Sequence, residues 1–556
     1  MLMPLLRAVW ATALVLGAAM RLSGQEKPVN TTPIDLPDFV VESQRELPPP
    51  EPWLYSRLGN HEILSSAGRG PTERMLKDLN RLLHGLRLLQ TPFLPAEAAS
   101  GKILVCGREP DFQPYAEKFG DQSTEEDMRT WHYEFLGREG AVLVLDQTAN
   151  TFRLFDDQTD EESTEVTFAE ERAKDSTRRL QTAFVKFLLY QQQPSMPAWL
   201  AEGLARSLAN VRIDERSVTW GVVENPNKVL SGADERSTGH ASTATMLTRQ
   251  RAPARDSLSD ELDFNAALAA TALMPLEEMF SWQRDTYIGK KLTAIRWFQQ
   301  SYAFVHWGLF GDAGQHRKQF LAFIKRLEKE APSEALFREC FDLSYAQGLN
   351  ALRTHVEFVR GKVIGVEAEK GARLPAAASI EVREATIAEI ARLKFTAFTL
   401  ADMPDRAHNE LVLAYRRGER TPNLVAELGV SALKLGQRDR ARNYLTLATK
   451  AKTTRTRAYV ALAQLRLDER LAKPQGKDGK LSYEQLLGVL EPLLSARTQA
   501  PRSPEVYTLF AEAWTKTAAT PPAQHVALVD EGVKLFPEDA TLREARARLD
   551  APPAAK

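Results

Sequence analysis

Apolar positions follow two different periods along the 556-residue chain, and the change between them divides the sequence into segments. His61–Ser65, Lys102–Cys106 and Ala141–Leu145 are short runs rich in apolar and β-branched residues, which is typical of strands. Leucines and a methionine recur at helical spacing over Thr72–Leu89 and predict a helix there. The pattern therefore predicts an α/β segment over residues 53–165.

Residues 166–365 are mainly helical in pattern. Leu180, Phe184, Phe187 and Leu188 recur at helical spacing, and their neighbours are also apolar, so we expect this helix to be buried on nearly all sides. Proline commonly begins a helix, which favours a second helix over Pro197–Ala209. Residues 213–260 are polar and predict a surface excursion with one strand at Val218–Val223. Helices resume near Phe264 and continue through Trp297–Leu309 and His316–Lys329.

A self-similar period appears in residues 376–550. Ala407, Leu411 and Ala414 recur 34 residues later as alanine, leucine and alanine. The later copy resembles a tetratricopeptide repeat, in which small side chains let two antiparallel helices approach. Its signature residues are Leu428, Gly429, Ala432, Gly436, Ala441, Leu445 and Ala448. The resemblance implies a C-terminal all-α tetratricopeptide-like solenoid, and an unrelated helical bundle is the alternative.

Composition excludes several classes of protein. Of all residues 43% are apolar and 26% charged, which disfavours wholesale disorder and a multi-span membrane protein. With 72 basic and 73 acidic side chains, the chain gives no reason to expect nucleic-acid binding. Cys106 and Cys340 are the only cysteines, so a disulfide framework and a four-thiolate zinc site are excluded. The two thiols could pair with each other or stay separate.

Both ends of the chain have the character of peripheral segments. In residues 1–24, Arg7 precedes the uncharged stretch Ala8–Met20, which is too short for a stable span of about 20 residues. This pattern predicts a signal peptide, cleaved after export to the periplasm or the exterior, with an uncleaved anchor as the alternative. Residues 25–52 are proline-rich and predict an extended linker. Residues 551–556 are interpreted as a disordered tail.

The segment Met196–Ala205 carries the most specific motif of the chain. It contains Trp199, Leu200, Glu202 and Gly203, and it resembles the P-x-W-L-x-E-G-L-A element of bacterial peptidase MA-like, gluzincin-type metallopeptidases. Pro275–Phe280 and Gln300–His306 also have forms expected in that family. The resemblance implies an α+β domain over 53–365, with a small mixed sheet plus helices. In the family, a preceding helix carries HExxH, and the glutamate at the position of Glu202 is the third zinc ligand.

The preceding helix lacks the family's catalytic residues. Histidines four residues apart share one helical face and can hold a metal together. Alignment places Thr182 and Lys186 at the histidine positions and Ala183 at the catalytic glutamate, and residues 176–201 contain no His, Asp, Glu or Cys. A single carboxylate cannot hold catalytic zinc. We therefore expect a degenerate pseudopeptidase domain with no catalytic residues, no metal and no cofactor.

Lys186 is the only charged residue between Arg179 and Glu202, and it lies on a largely apolar helix. Burying an ammonium is tolerable when a carboxylate pairs with it. One hypothesis is that Lys186 reaches Glu202 and takes the vacated zinc position. The alternative is that Lys186 extends to the surface while Glu202 meets an arginine or a helix terminus.

Three functional interpretations follow. The first is an exported, non-catalytic protein that binds a protein or peptide partner through its repeats, with no nucleic acid and no stable membrane span. The second is an envelope hydrolase with a rebuilt metal site that uses His240, His306 or carboxylates near Asp260, although His306 is more typical of a core histidine. The third is a structural envelope scaffold. The oligomeric state stays open.

Overall fold

A computed structural model describes the protein over thirteen ranges of the chain: 33–36, 47, 51–94, 100–118, 131–137, 140–147, 165–192, 196–223, 263–268, 271–283, 291–359, 361–499 and 502–550. The described chain forms two compact units. The first comprises the described residues from 51 to 385, and the second comprises the described residues from 386 to 550 together with 33–36 and 47. The predicted signal peptide 1–24, the tail 551–556, and most of the linker 25–52 and of the excursion 213–260 lie outside the described residues.

The first unit contains two sheets in its described part. The larger sheet has the strand order β4-β5-β3-β2-β1-β9, and the smaller has the order β6-β7-β8. The strands are β1 Leu54–Leu58, β2 His61–Ser65, β3 Gly101–Cys106, β4 His132–Gly137, β5 Gly140–Asp146, β6 Arg212–Ile213, β7 Ser217–Trp220, β8 Ile364–Glu367 and β9 Val382–Glu384. Strand β4, which the sequence analysis did not predict, thus lies at one edge of the larger sheet.

The larger sheet is mixed in direction. Strands β2, β3 and β5 run parallel, whereas β4 is antiparallel to β5 and both β2 and β9 are antiparallel to β1. Val142–Leu145 are almost fully buried, as expected of a strand covered on both faces. The pairing of β9 with β1 extends the first unit to Ala385, beyond the predicted end at residue 365.

Helices cover the sheet and form the rest of the first unit. Leu180, Phe184, Phe187 and Leu188 are buried, which confirms the prediction of a helix enclosed by the core. The helices are α1 Arg69–Leu89, α2 Glu109–Lys118, α3 Glu165–Tyr190, α4 Ala198–Ala209, α5 Phe264–Leu268, α6 Leu276–Ser281, α7 Lys291–Gly314, α8 Arg317–Leu327, α9 Glu334–Phe341 and α10 Tyr345–Glu357. None of the helices in the described ranges combines the length and apolar character that crossing a bilayer requires.

Residues 386–550 of the second unit are mainly helical. Thr386 begins its first helix with a capping box to Glu389, and Pro404 and Pro422 lie in the first turns of two others. The helices are α11 Ile387–Leu400, α12 Pro404–Arg416, α13 Pro422–Lys434, α14 Arg438–Lys450, α15 Thr456–Ala472, α16 Tyr483–Ala496, α17 Pro504–Thr515, α18 Ala523–Leu535 and α19 Ala540–Asp550. The coarse prediction, a mixed sheet with helices followed by an all-helical region, is confirmed.

Candidate functional site

Helices α3 and α4 bring Lys186 and Glu202 together. The Lys186 Nζ lies 3.3 Å from the Glu202 Oε1, within ion-pair distance. The Lys186 side chain is 11% exposed and that of Glu202 is 2% exposed, so both charges are largely removed from water. The direct pair predicted from the sequence is therefore present, and the alternative in which Lys186 extends into solvent is wrong.

The packing of α4 fixes the direction of Glu202. Pro197 precedes the helix, and its carbonyl accepts the backbone N–H groups of Leu200 and Ala201, which starts the first turn. Trp199 is fully buried against the rings of three phenylalanines, Phe280, Phe304 and Phe323. Because nearly every residue of this short helix is buried, the carboxylate of Glu202 must find a polar partner inside the protein.

Strand β4 supplies a second carboxylate to the same place. The Glu134 Oε1 lies 3.7 Å from the Lys186 Nζ, and the Glu134 side chain is 3% exposed. The neighbouring side chain of Tyr133 stacks on Phe112 of α2, so successive residues of β4 point to opposite faces of the sheet. The edge strand therefore aims Glu134 toward α3.

Two further side chains extend this group. The Tyr190 hydroxyl donates a hydrogen bond of 3.4 Å to the Glu202 Oε1, and the His132 Nε2 lies 3.9 Å from the Glu134 Oε1. We call the five residues His132, Glu134, Lys186, Tyr190 and Glu202 the lysine cluster. Its centre is one ammonium between two buried carboxylates, an arrangement that satisfies the charge of the lysine from two sides.

The lysine cluster does not fit a zinc ion. An ammonium 3.3 Å from the carboxylate occupies the space in which a cation held by Glu202 would sit, and it would repel that cation. Zinc sites use thiolate, imidazole and carboxylate ligands about 2 Å from the metal. Within the described ranges, no three His, Cys, Asp or Glu side chains are grouped so that they could hold a metal.

The other two positions aligned with the family's motif lie on α3 beside Lys186. The Thr182 hydroxyl donates to the backbone carbonyl of Arg178, within its own helix. Ala183 is buried, with 2% of its surface exposed. Neither side chain offers a base or a metal ligand.

His306 is a core residue and does not join the lysine cluster. Its ring nitrogens lie 2.9 Å from the His355 Nε2 and 3.0 Å from the Gly221 carbonyl oxygen. Burial, reinforced by the neighbouring His355, lowers the pKa of His306 to about 3. His306 is therefore neutral at physiological pH and engaged on both sides. His240 and Asp260, the other ligands considered for a rebuilt site, lie outside the described residues.

His61 and the two cysteines are also placed by the structure. His61 lies in β2, where its Nδ1 accepts the backbone N–H of Gly101, and burial lowers its pKa to about 4. Cys106 is buried in β3 and Cys340 is partly exposed on α9, and no disulfide joins them. The two thiols are thus separate.

The repeat-signature residues meet at a close contact between α13 and α14. A Cβ atom added to Gly429 would lie 2.7 Å from the Cγ of Leu445, so only glycine allows this approach. Leu428, Ala432, Ala441 and Ala448 are each 0% exposed. Gly436 has a φ of +74°, which a glycine adopts without strain, and it ends the first of the two helices.

Sequence reasoning missed His132, Glu134 and Tyr190. The sequence of β4 alternates, so it could have shown which of its side chains share a face. It could not have shown that this strand packs beside a helix about fifty residues later in the chain. Comparisons with family models and with characterised proteins find no match for the chain. The assignment of function therefore depends on the geometry of the lysine cluster and of the helical unit.

Proposed function

We propose that this is an exported, non-catalytic protein that binds a protein or peptide partner. In this proposal the first unit is a gluzincin-like domain that has lost its zinc site, and the second is a tetratricopeptide-like solenoid that docks the partner. The observation that carries the proposal is the ion pair of Lys186 and Glu202. Export is supported by the sequence of residues 1–24.

Several features support a degenerate peptidase. Glu202 lies on the helix of the family-like motif, and Lys186 lies on the helix before it, where the resemblance places a metal-binding histidine. A metallopeptidase needs a cation to polarise the scissile carbonyl and to activate water. The ammonium of Lys186 carries charge but has no open coordination position, so it cannot replace zinc in that reaction.

The period of the second unit supports a tetratricopeptide-like arrangement. Helices α12 and α14 begin 34 residues apart, at Pro404 and Arg438, and so do α13 and α15, at Pro422 and Thr456. Stacked helical pairs of this period present an extended concave surface, which suits a peptide or a protein segment. Arg438 and Arg442 pair with Asp468 and Glu469 across α14 and α15, as expected of a solvated outer face.

Metal analysis and a peptidase assay test the loss of catalysis. We expect the purified chain to contain less than about 0.1 equivalent of zinc by mass spectrometry and to leave a mixed peptide library uncleaved. A paired variant, Thr182→His with Lys186→His, would place two imidazoles beside Glu202 and should gain zinc affinity. One equivalent of zinc together with hydrolysis in the wild-type chain would refute the proposal.

Crosslinking in the native envelope tests the docking role. A photoreactive residue placed at Lys434 of α13 or Leu471 of α15, which are both exposed, should capture one specific partner, whereas the same residue at an exposed position of α9 in the first unit should not. An identical, unselective set of products from both placements would favour a structural scaffold.

A further inference from the structure

A short extended segment of the chain lies against the helical unit. Residues 33–36 have the sequence Pro-Ile-Asp-Leu, and Leu36 is only 4% exposed. Burial alternates along the segment. Ile34 is partly buried and Leu36 is buried, whereas 82% of the Asp35 side chain is exposed to solvent. This alternation is the pattern of an extended peptide held on one face.

The main chain of the segment is bound by Tyr415, in the last turn of α12, and by Arg420, which follows that helix. The Ile34 N–H donates to the carbonyl of Arg420 over 2.9 Å. The Tyr415 hydroxyl donates to the Ile34 carbonyl over 3.0 Å and accepts the Leu36 N–H over 2.6 Å. One hydroxyl therefore bridges the two backbone groups on either side of Asp35, and it uses its donor and its acceptor once each.

Side chains add specificity to these backbone contacts. The Arg420 guanidinium forms an ion pair with Asp35 and lies 5.4 Å from the centre of the Tyr415 ring. Leu36 supplies the buried apolar anchor. Pro33 is the first residue of the segment and Pro37 follows Leu36, and the residue before a proline favours extended backbone. The segment is therefore partly preorganised for binding.

We infer that Tyr415 and Arg420 form a linear-peptide binding site whose resident ligand is the chain's own segment 33–36. The site recognises an extended apolar–acidic–apolar sequence. It does so through hydrogen bonds to the main chain, one ion pair with the acidic residue and the burial of one leucine. Its existence does not depend on whether the repeats recruit another protein, so the two proposals can fail separately.

A competition experiment on the full-length chain tests the site. The probe is a fluorescein-labelled synthetic peptide of residues 30–40, and binding is followed by fluorescence anisotropy. Leu36→Asp in the chain places a charge at a buried position and should open the site, so that the peptide binds this variant at least about tenfold more tightly than the wild type. A peptide that itself carries Leu36→Asp should not bind.

Two further substitutions locate the binding. Adding Tyr415→Phe to the opened chain removes the bridging hydroxyl and should weaken the peptide about tenfold. Tyr483→Phe, at an exposed tyrosine of α16, is the matched control and should change nothing. Absence of saturable binding to the opened chain, or an affinity insensitive to Tyr415→Phe, would overturn the inference.

Hydrogen exchange on the unmutated chain gives an answer even if Leu36→Asp prevents folding. The amides of Ile34 and Leu36 should be protected in the wild type, and Tyr415→Phe should reduce the protection of Leu36 at least about tenfold. Asp35→Lys, at an exposed side chain, should loosen the segment and let the labelled peptide bind more tightly. Unprotected amides in the wild type would overturn the inference.

Discussion

The backbones of Gly203 and Ser301 are in direct contact: a Cβ atom on Gly203 would lie 2.4 Å from the carbonyl oxygen of Ser301. The same atom would lie 2.6 Å from a methyl group of Val305. Helices α4 and α7 can approach this closely only because residue 203 has no side chain. Gly203 is therefore needed for the packing of α4 on α7, whether or not the site carries out a reaction. This packing also sets the position of the adjacent Glu202.

Gly203→Ala should destabilise the first unit by about 2–3 kcal/mol, because a methyl group must be forced against backbone. Gly70→Ala is the matched control, since its Cβ would lie 3.7 Å from the flexible end of Arg74 and the residue is in helix α1. The control should be neutral or stabilising by up to about 1 kcal/mol. Denaturant unfolding measures both, and equal effects of the two substitutions would contradict the packing argument.

Lys186→Met should destabilise the first unit by about 3 kcal/mol or more, because it leaves the buried carboxylates of Glu134 and Glu202 without their cation. The double variant Lys186→Met with Glu202→Gln should lose less than the sum of the two single variants, with a coupling of about 0.5–3 kcal/mol.

Arg338→Met breaks an exposed ion pair with Glu334 and serves as the control, which should change the free energy of unfolding by less than about 1 kcal/mol. Denaturant titrations of the wild type, the two single variants and the double variant give the thermodynamic cycle, and the control is titrated alongside them. Additive effects of Lys186→Met and Glu202→Gln would mean that the pair does not interact.

Acidification should weaken the first unit through the His306–His355 pair. Burial lowers the pKa of His306 to about 3 and that of His355 to about 4, whereas an unfolded histidine titrates near 6.5. Between these values the unfolded chain binds more protons, so the stability present above pH 6.5 is lost as the pH falls. Each histidine contributes a slope of up to about 1.4 kcal/mol per pH unit.

His355→Gln keeps an N–H donor for His306 but removes one titrating group. The unfolding free energy of this variant, measured from pH 7 to pH 5, should therefore depend less steeply on pH than that of the wild type. An unchanged slope would show that His355 is not neutral in the folded protein.

Gly429→Ala should destabilise the second unit by about 1–3 kcal/mol, since the new methyl group would collide with Leu445 between α13 and α14. Gly488→Ala in α16 is the control: its Cβ would meet only the end of Arg470, 4.0 Å away, so better helix propensity should make it neutral or stabilising. Thermal unfolding followed by circular dichroism distinguishes the two. A stabilised Gly429→Ala would refute the close helix contact.

The elements that the sequence predicted well are those with strong local patterns. The strand His61–Ser65 was predicted at the bounds it has, and the helix beginning near Thr72 differs only at its first turn. The pair of Lys186 and Glu202 was one of two hypotheses, and it could be stated in advance because Lys186 is the only charged residue between Arg179 and Glu202. A lone charge on an apolar stretch needs a polar partner if it is buried, which suggested Glu202, but only the fold shows that Lys186 is buried.

The elements that were missed depend on distant partners. Glu134 joins Lys186 only because the edge strand β4 passes beside α3, and His355 meets His306 only through the packing of α10 on α7. Strand β9 is three residues long and exists by pairing with β1, more than 300 residues earlier. The periodicity of a sequence predicts each helix or strand separately. Contacts between elements that are distant in the chain can be identified only from the folded structure.

The hydrogen bonds of Tyr415 with Ile34 and Leu36 join positions that are 379 or more residues apart in the chain. Residues 33–36 are synthesised early, yet their binding site is complete only after Arg420 has been made. The whole first unit therefore lies within one chain loop, and we expect this loop to close late in folding, because contacts of such long range carry the largest loop entropy. A single protease cut between residues 37 and 50 would open that loop while leaving every contact of the bound segment in place.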